Sequence, residues 1–221
     1  MIELSHAYKT FPGPVHALRN VDLSIQKGEF VFLTGPSGAG KTTLFKILCG
    51  FDQVTSGKAH VAGFELEKIS SSDRPFFRRR IGVVFQDFKL ISDQSAIENV
   101  MLPLIIQGEK KKSALEKAES LLVKVGLIDK RNQLPDVLSG GEQQRIAIAR
   151  ALIHQPPIIM ADEPTGNLDS EKAEEIMNLL EECTDKGMTV FVITHDLELV
   201  RRRKKRIIAI KNGEIVKDGR A

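Results

Sequence analysis

The chain has 221 residues, of which 42% are hydrophobic and 28% are charged, and its formal net charge is +3. This length allows one sizeable core, and so small a charge argues against a polyanion as the main partner. The two cysteines lack metal or redox spacing, no apolar run reaches the roughly eighteen residues of a membrane span, and the N-terminus lacks a signal peptide's apolar core. We therefore expect a cytosolic protein whose membrane role, if it has one, depends on a partner.

The first seventy residues are expected to be rich in short strands separated by glycine-containing turns. This pattern is typical of an antiparallel sheet. The expected strands cover residues 2–8, 21–25 and 58–62, and their sheet is expected beside a further strand at 30–33.

The apolar run 30–33 leads into the string GPSGAGKTT, and a helix is expected to follow it. Glycines let the backbone curl so that successive N–H groups point inward, and the start of the helix adds the positive end of its dipole. Lys41 would reach the β- and γ-phosphates of a nucleotide, and the Thr42 hydroxyl would bind Mg²⁺. The flanking strand and helix favour this interpretation over a glycine-rich turn without a ligand. The predicted phosphate loop comprises Gly35, Pro36, Ser37, Gly38, Ala39, Gly40, Lys41, Thr42 and Thr43.

The middle of the chain, about residues 88–155, is predicted to be helical. Residues 95–106 are apolar on more than one face, and residues 110–125 have helical spacing with a polar outer face. We interpret this zone as a helical insertion.

A second string, LSGGEQQR, spans residues 138–145. Ser139 is a natural N-cap for a helix over 142–154, and Gly140 and Gly141 follow it, which makes a second place suited to an anion. One nucleotide needs only one such helix start, so the second raises the question of which phosphate it binds. Taken alone, the string is equally consistent with an ordinary helix entry.

A second buried strand, 158–161, ends in two acidic residues. Asp162 can hold Mg²⁺, and Glu163 is better placed to orient and deprotonate a water molecule that attacks the γ-phosphate. A strand ending in solvated acids is the alternative, but the pair and the exit turn at Pro164 disfavour it.

From residue 155 onward strands and helices alternate, which indicates parallel strands with helical crossovers. A closing hairpin is expected around Asn212-Gly213. The predicted fold is α/β: a P-loop nucleotide-binding core of mostly parallel sheet with flanking helices, an N-terminal antiparallel β subdomain and the inserted helical subdomain.

Six basic residues follow one another at 201–206. The low net charge and few aromatic residues argue against nucleic acid as a partner. Contact with anionic lipid and simple stabilisation of a helix end by its dipole both remain open.

These motifs, in this order, resemble the ATP-binding cassette (ABC) ATPases across nearly the whole chain. The resemblance implies that residues 1–221 form a single nucleotide-binding domain that binds ATP and Mg²⁺. It also implies a homodimer in which LSGGEQQR of one copy closes over the ATP held by GPSGAGKTT of the other, which would answer the question of the second phosphate.

The resemblance also assigns roles to other residues. Tyr8 occupies the early aromatic position that stacks on adenine, although a core aromatic at a strand end is the alternative. Gln86, after the strand 81–85, would sense Mg²⁺ and a membrane subunit. Asp169, in the string Asn167-Leu168-Asp169, would communicate across the dimer, and His195 would contact the γ-phosphate.

Within the family, strings such as RPFFRRRIGVVFQDFKLI and ADEPTGNLDS are similar to the branch that acts in bacterial cell division. This implies an integral membrane partner that controls cell-wall hydrolysis, a peripheral position on the cytoplasmic face of the membrane, and other division components as further partners. The alternatives are an ATPase subunit for lipoprotein release or macrolide export, and a soluble cassette acting on DNA or ribosomes. Such soluble cassettes usually carry a coiled coil or a second cassette, which this sequence lacks.

Family resemblance places docking of the membrane partner near residues 86–107. Phe88, Leu90 and Ile91 are either contact residues there or part of the subdomain core.

Overall fold

A computed structural model describes residues 1–13, 15–166 and 168–220, so that Asn167 lies outside the described residues. In chain order the strands and helices are β1 (Ile2–Phe11), β2 (Val15–Ile25), β3 (Phe30–Thr34), α1 (Lys41–Leu48), β4 (Ser56–Val61), β5 (Phe64–Glu65), α2 (Arg74–Arg78), β6 (Ile81–Val84), α3 (Ala96–Ile106), α4 (Lys111–Lys124), α5 (Gly140–Leu152), β7 (Ile158–Asp162), α6 (Ser170–Asp185), β8 (Thr189–Ile193), α7 (Leu197–Arg203), β9 (Arg206–Lys211) and β10 (Glu214–Arg220). Short 3₁₀ turns cover Ile128–Lys130 and Pro135–Val137.

The N-terminal strands form an antiparallel sheet in the order β2-β1-β4-β5. The expected antiparallel sheet is therefore confirmed. Strands β1 and β2 are longer than predicted, because they pair with each other from Ile2 opposite Ile25 to Phe11 opposite Val15. Several register shifts interrupt this ladder, and they hide the regular alternation by which a strand is found in a sequence.

A second sheet has the order β10-β9-β3-β8-β7-β6, and every pair except β10–β9 is parallel. Strands β3 and β8 are completely buried, as expected for parallel strands covered on both faces. The predicted alternation of strand and helix is confirmed here. So is the closing hairpin, since Asn212 and Gly213 both have positive φ, at 52° and 82°, as a two-residue hairpin turn requires.

Helices α3, α4 and α5 share a buried apolar cluster of their own. They lie within the zone predicted to be helical. Helix α5 begins at Gly140, two residues before the expected start, because Ser139 caps it directly. Helix α2 was not predicted. None of the helices in the described part of the chain combines the length and apolar character needed to cross a bilayer.

Candidate active site

The phosphate loop joins β3 to α1 in a conformation that requires glycine. Gly38 and Gly40 have φ values of 73° and 106°, a region that favours glycine. A Cβ atom on Gly40 would lie 2.5 Å from the Ala17 carbonyl oxygen, and one on Gly35 would lie 2.2 Å from that of Ile210. Neighbouring backbone therefore packs against this loop so closely that side chains are excluded at these positions.

Lys41 begins α1 and its side chain folds back over the loop. Its Nζ donates hydrogen bonds to the carbonyl oxygens of Gly35, at 2.7 Å, and Pro36, at 2.9 Å. Thr42 is exposed next to it, and Thr43 is half-buried. Pro36 and Ser37 are exposed and Ala39 is buried, so the predicted loop residues form one continuous surface at the start of the helix.

The acidic pair lies at the end of β7. Burial raises the pKa of the Asp162 carboxyl, neighbouring Glu163 raises it further, and the Lys41 ammonium opposes both effects. Glu163 has a left-handed backbone, with φ at 47°, and its N–H donates to the Ile193 carbonyl at 2.9 Å. Because of this strained conformation, the Glu163 side chain does not continue the alternating side-chain directions of β7.

His195 follows β8 and contacts Glu163. Its Nδ1 lies 2.8 Å from Glu163 Oε1. The other oxygen, Oε2, is buried and has no hydrogen-bond partner among the described residues. The Glu163 side chain is only 11% exposed, whereas that of His195 is 73% exposed. Both residues line an open cavity of about 510 Å³, and Oε2 is the carboxylate oxygen that His195 does not contact.

Gln86 lies in the exposed turn after β6. The next residue, Asp87, is close enough to Asp162 to raise the pKa of that carboxyl. The phosphate loop, Gln86 and His195 thus follow β3, β6 and β8, and Asp162 is the last residue of β7. Because carboxyl ends of parallel strands meet at one edge of a sheet, the structure brings these predicted residues together there.

The second motif forms a well-capped helix start. The Glu142 N–H donates to Ser139 Oγ at 3.4 Å, and the Ser139 N–H donates to Glu142 Oε2 at 2.8 Å. This backbone bond to Ser139 holds the pKa of Glu142 below its usual value. Helix α5 packs against α3, α4 and β6, whereas α1 packs against β2, β4 and β7.

Within the described residues, Ser139 has its side-chain hydrogen bond with Glu142 and none with the phosphate loop. Asp169 caps α6, because its carboxylate accepts the Lys172 N–H at 2.9 Å, and it also pairs with Lys172 Nζ at 2.7 Å. A Cβ on Gly141 would lie 3.1 Å from the Lys172 side chain. Ser139, Gly140, Gly141 and Asp169 therefore form a separate group from the phosphate loop.

Two exposed aromatic residues lie on β1. Ala7 is buried against the core that includes α1. Lys9 Nζ reaches Asp52 Oδ1 at 2.5 Å, just beyond α1, and lies 4.9 Å from the Phe11 ring centroid. Sequence reasoning considered only Tyr8, and the string Lys9-Thr10-Phe11 contained no signal that distinguished the two aromatic residues.

A second concave surface lies between the parallel sheet and the helical region. Its volume is about 380 Å³, and its lining is mainly apolar with a basic rim. Leu90 packs into the helical core cluster rather than lining this groove. Of the docking zone expected at 86–107, the part on α3 therefore forms the surface. The lining residues are Phe51, Pro75, Arg78, Arg79, Ile81, Val83, Leu102, Pro103, Ile106, Gln107, Arg150, Ala151 and His154.

Comparison with known proteins gives a consistent result. The sequence pattern of the family described as "ABC transporter" matches residues 18–166. The cell division ATP-binding protein FtsE of Escherichia coli K12 is 43% identical over 215 residues, which cover 97% of each chain. FtsE of Bacillus subtilis 168 is 44% identical over 218 residues, covering 99% of this chain and 96% of that protein.

Solved structures give the same fold. A dimeric ATP-binding cassette in a post-hydrolysis state with ADP and phosphate has a TM-score of 0.93 and 40% identity, covering 100% of this chain and 98% of its own. A dimeric structure described as a bacterial ABC transporter cassette also has a TM-score of 0.93, with 41% identity and the same coverage. Both neighbours are dimers.

Proposed function

This chain belongs to the ABC transporter family of ATPases, and from that premise we propose that it is the ATP-hydrolysing subunit of an FtsE-like complex. It acts with an FtsX-like integral membrane subunit in bacterial cell division, where the complex controls cell-wall hydrolysis. The near full-length similarity to FtsE of two distant bacteria supports this proposal.

One observation carries the catalytic part of the proposal. The phosphate loop, the acidic pair and His195 lie at one edge of the sheet, while the Ser139 side chain bonds Glu142 and has no hydrogen bond with that loop among the described residues. A single copy therefore holds two phosphate-binding helix starts that do not meet. We propose an ATP-dependent homodimer in which Ser139, Gly140, Gly141 and Asp169 of one copy close the site of the other.

The residues present suit Mg²⁺ and a triphosphate. Asp162 has its pKa raised by burial and by Glu163, and a cation beside it would relieve this repulsion. Thr42 and Gln86 supply neutral oxygen ligands, and oxygen ligands are those Mg²⁺ prefers. We propose that Thr42, Asp162 and Gln86 hold the ion. When bound, Mg²⁺ neutralises charge on the β- and γ-phosphates.

Hydrolysis then follows from the contacts of this chain's own residues. Lys41 leaves the loop carbonyls for the phosphate oxygens, and the loop N–H groups bind the same charge. His195 holds one oxygen of Glu163, which leaves Oε2 to orient a water molecule and accept its proton as the water oxygen attacks the γ-phosphorus. The bond to the β-phosphate oxygen breaks and ADP leaves. Closure by the second copy excludes bulk water and strengthens these interactions.

The membrane subunit is proposed to dock in the groove between the parallel sheet and α3. Apolar Leu102 and Ile106 would receive an apolar segment, and Arg78 and Arg79 on its rim favour acidic residues in that segment. This docking holds the chain at the cytoplasmic face of the membrane. Ile106→Glu is expected to abolish copurification with the membrane subunit while ATP hydrolysis by the isolated chain stays unchanged.

Paired variants test the catalytic proposal. Glu163→Gln should keep ATP binding, lower turnover by about 10²–10⁴-fold and sediment as a dimer with Mg-ATP. Lys41→Ala in the same background should remain monomeric, because it lacks the charge that holds the triphosphate. Full turnover by Glu163→Gln would refute the base assignment.

A transporter ATPase for lipoprotein or macrolide is the second candidate. A neighbour of TM-score 0.93 described as a bacterial ABC transporter cassette favours it. The two candidates share the cytosolic chemistry, so the membrane subunit that copurifies with the chain, and whether that subunit contains a cargo cavity, decides between them.

A further inference from the structure

Arg150 connects the two halves of the candidate site. It lies in α5, the helix that begins at the Ser139 tip. Its Nη1 donates to the Lys89 carbonyl at 2.6 Å, and its Nη2 donates to the Phe88 carbonyl at 2.7 Å. The planar guanidinium thus donates to two consecutive carbonyls in the loop that follows Gln86. The fixed fork of N–H groups in arginine suits this two-bond geometry.

The loop that Arg150 holds has an uncommon backbone. Phe88 and Lys89 both have left-handed φ, at 57° and 49°. Neither is a residue type that favours this region, so the surrounding contacts must hold the conformation in place. Asp87 contributes, because its carbonyl accepts the Lys89 N–H at 2.5 Å and its carboxylate pairs with Lys89 Nζ.

The same loop also lies near the other end of α5. A Cβ atom on Gly140 would lie 3.7 Å from the tip of the Phe88 ring. The Phe88 ring therefore lies near the Ser139 tip, and the Phe88 carbonyl is bonded to Arg150 near the end of the helix. Arg150 also lines the groove beside Pro103 and Ile106.

We propose that Arg150 is a positioning residue that ties the Phe88–Lys89 turn to α5, so that Gln86 and the partner-facing Ser139 tip move as one piece. This inference rests on the proposed function, since it assigns Arg150 the task of presenting both groups when the dimer closes. It predicts that losing Arg150 weakens closure and leaves nucleotide binding by the monomer intact.

Arginine is required for this task on chemical grounds. Lysine keeps the positive charge but offers a single ammonium on a flexible stem, which does not reproduce two parallel bonds to adjacent carbonyls. Burial already lowers the pKa of the Arg150 guanidinium, so its hydrogen bonds replace water that it has lost.

The experiment uses the full chain with Glu163→Gln as the parent. Arg150→Lys and Arg150→Met are each added, and Mg-ATP-driven dimerisation is measured by sedimentation. Binding of a fluorescent ATP analogue to the monomer and hydrogen exchange over residues 86–91 are measured alongside. Arg203→Lys is the matched control, because Arg203 is also a buried arginine that bonds a carbonyl, that of Glu174, but lies away from the loop.

We expect dimerisation of both Arg150 variants to weaken by about tenfold or more, with faster exchange over 86–91 and analogue binding unchanged. Arg203→Lys should lower the thermal midpoint without weakening the dimer. Equal dimerisation of parent and Arg150→Lys would overturn the inference. Slower or unchanged exchange over 86–91 would also overturn the inference. If Arg150→Met does not fold, the result for Arg150→Lys alone tests the inference. Failure of the parent itself to dimerise would instead overturn the proposed function, and the inference with it.

Discussion

Asp162 ends β7 with its carboxyl partly withdrawn from water beside a second carboxylate, and both effects raise its pKa from the ordinary value of 3.8. A carboxyl whose pKa is higher in the folded chain binds more protons there than in the unfolded chain. The free energy of unfolding therefore falls as the pH rises from 3.8 through the folded-state pKa. At neutral pH the ionised Asp162 thus destabilises the nucleotide-free protein.

Asp162→Asn should accordingly make the nucleotide-free protein more stable at pH 7.5, by about 2–4 °C in thermal midpoint for a gain of ~1 kcal/mol. The difference should shrink at a second, lower pH that is closer to the folded-state pKa of Asp162. The same variant should lose the additional stabilisation that Mg-ATP gives over ATP alone. Thermal unfolding at both pH values measures all three effects, and a less stable Asn variant at pH 7.5 would contradict the argument.

We propose Phe11, rather than Tyr8, as the residue that stacks on adenine. Phe11 lies against Lys9, whose Nζ pairs with Asp52 just beyond α1, so Phe11 is near the end of that helix. We expect Phe11→Ala to weaken ATP binding by about tenfold, the loss of one base–aromatic stack. Tyr8→Ala should leave it within about twofold of wild type. The reverse ranking in a titration with a fluorescent ATP analogue would restore Tyr8.

At the scale of whole elements, Asn99 shows how the helical region is attached. Its side chain is fully buried in α3. The amide accepts the Ile91 N–H at 2.8 Å and donates to the carbonyls of Ile91, Gln94 and Ser95 at 2.9–3.1 Å. One amide therefore satisfies the backbone of the loop that leads from Gln86 into α3.

Asn99→Leu should lower the free energy of unfolding by about 2–4 kcal/mol, because partly buried backbone groups at Ile91 and Gln94 lose a hydrogen-bond partner. Urea denaturation measures this loss. Asn132→Leu is the control, since Asn132 is exposed and a surface change of this kind stays within about 0.5 kcal/mol. Equal stability of the two variants would show that the Asn99 network contributes nothing.

The basic run at 201–206 lies next to acidic residues that form ion pairs with it. Arg203 pairs with Glu174 and Glu181, and Arg206 pairs with Asp218 and Glu29. Much of this charge is thus neutralised by acidic residues on α6, on β10 and immediately before β3. The structure therefore favours a structural role for the run over contact with anionic lipid.

Elements with a local signal were predictable from the sequence, and elements without one were not. Ser139 as the N-cap of a helix, and Asn212-Gly213 between two strands, are short patterns with a direct physical meaning, and the structure has a capped helix and a hairpin at these residues. Helix α2 has five residues, too few for a periodicity. The Arg150 contacts with Phe88 and Lys89 join residues about sixty positions apart, so no local pattern carries them.

The candidate site divides in the same way. The residue types of the phosphate loop, Asp162 and Glu163 identify their chemistry, and the parallel order of the strands brings them to one edge. The left-handed backbone of Glu163 and its contact with His195 depend on how β7 and β8 end. No residue type near these strand ends predicts that geometry. The choice between Tyr8 and Phe11 depends on which of the two lies near the end of α1.

On the scale of the whole molecule, the separation of the two phosphate-binding tips is the central feature. Helices α1 and α5 pack against different elements, and the exposed Ser139 has no hydrogen bond with the phosphate loop of its own copy among the described residues. Dimeric neighbours of the same fold agree with a site shared between copies. In the proposed function, the membrane subunit docks in the groove that Arg150 helps to line.

Complementation between two inactive chains tests this shared site most directly. Lys41→Ala removes the phosphate loop's charge and Ser139→Arg blocks the tip, so each variant alone has two defective sites per dimer. A mixed dimer contains one site in which Lys41 and Ser139 are both intact. The account predicts that mixing restores ATP hydrolysis to about a quarter of the wild-type rate when each site turns over independently. A mixture no more active than its two components would contradict it.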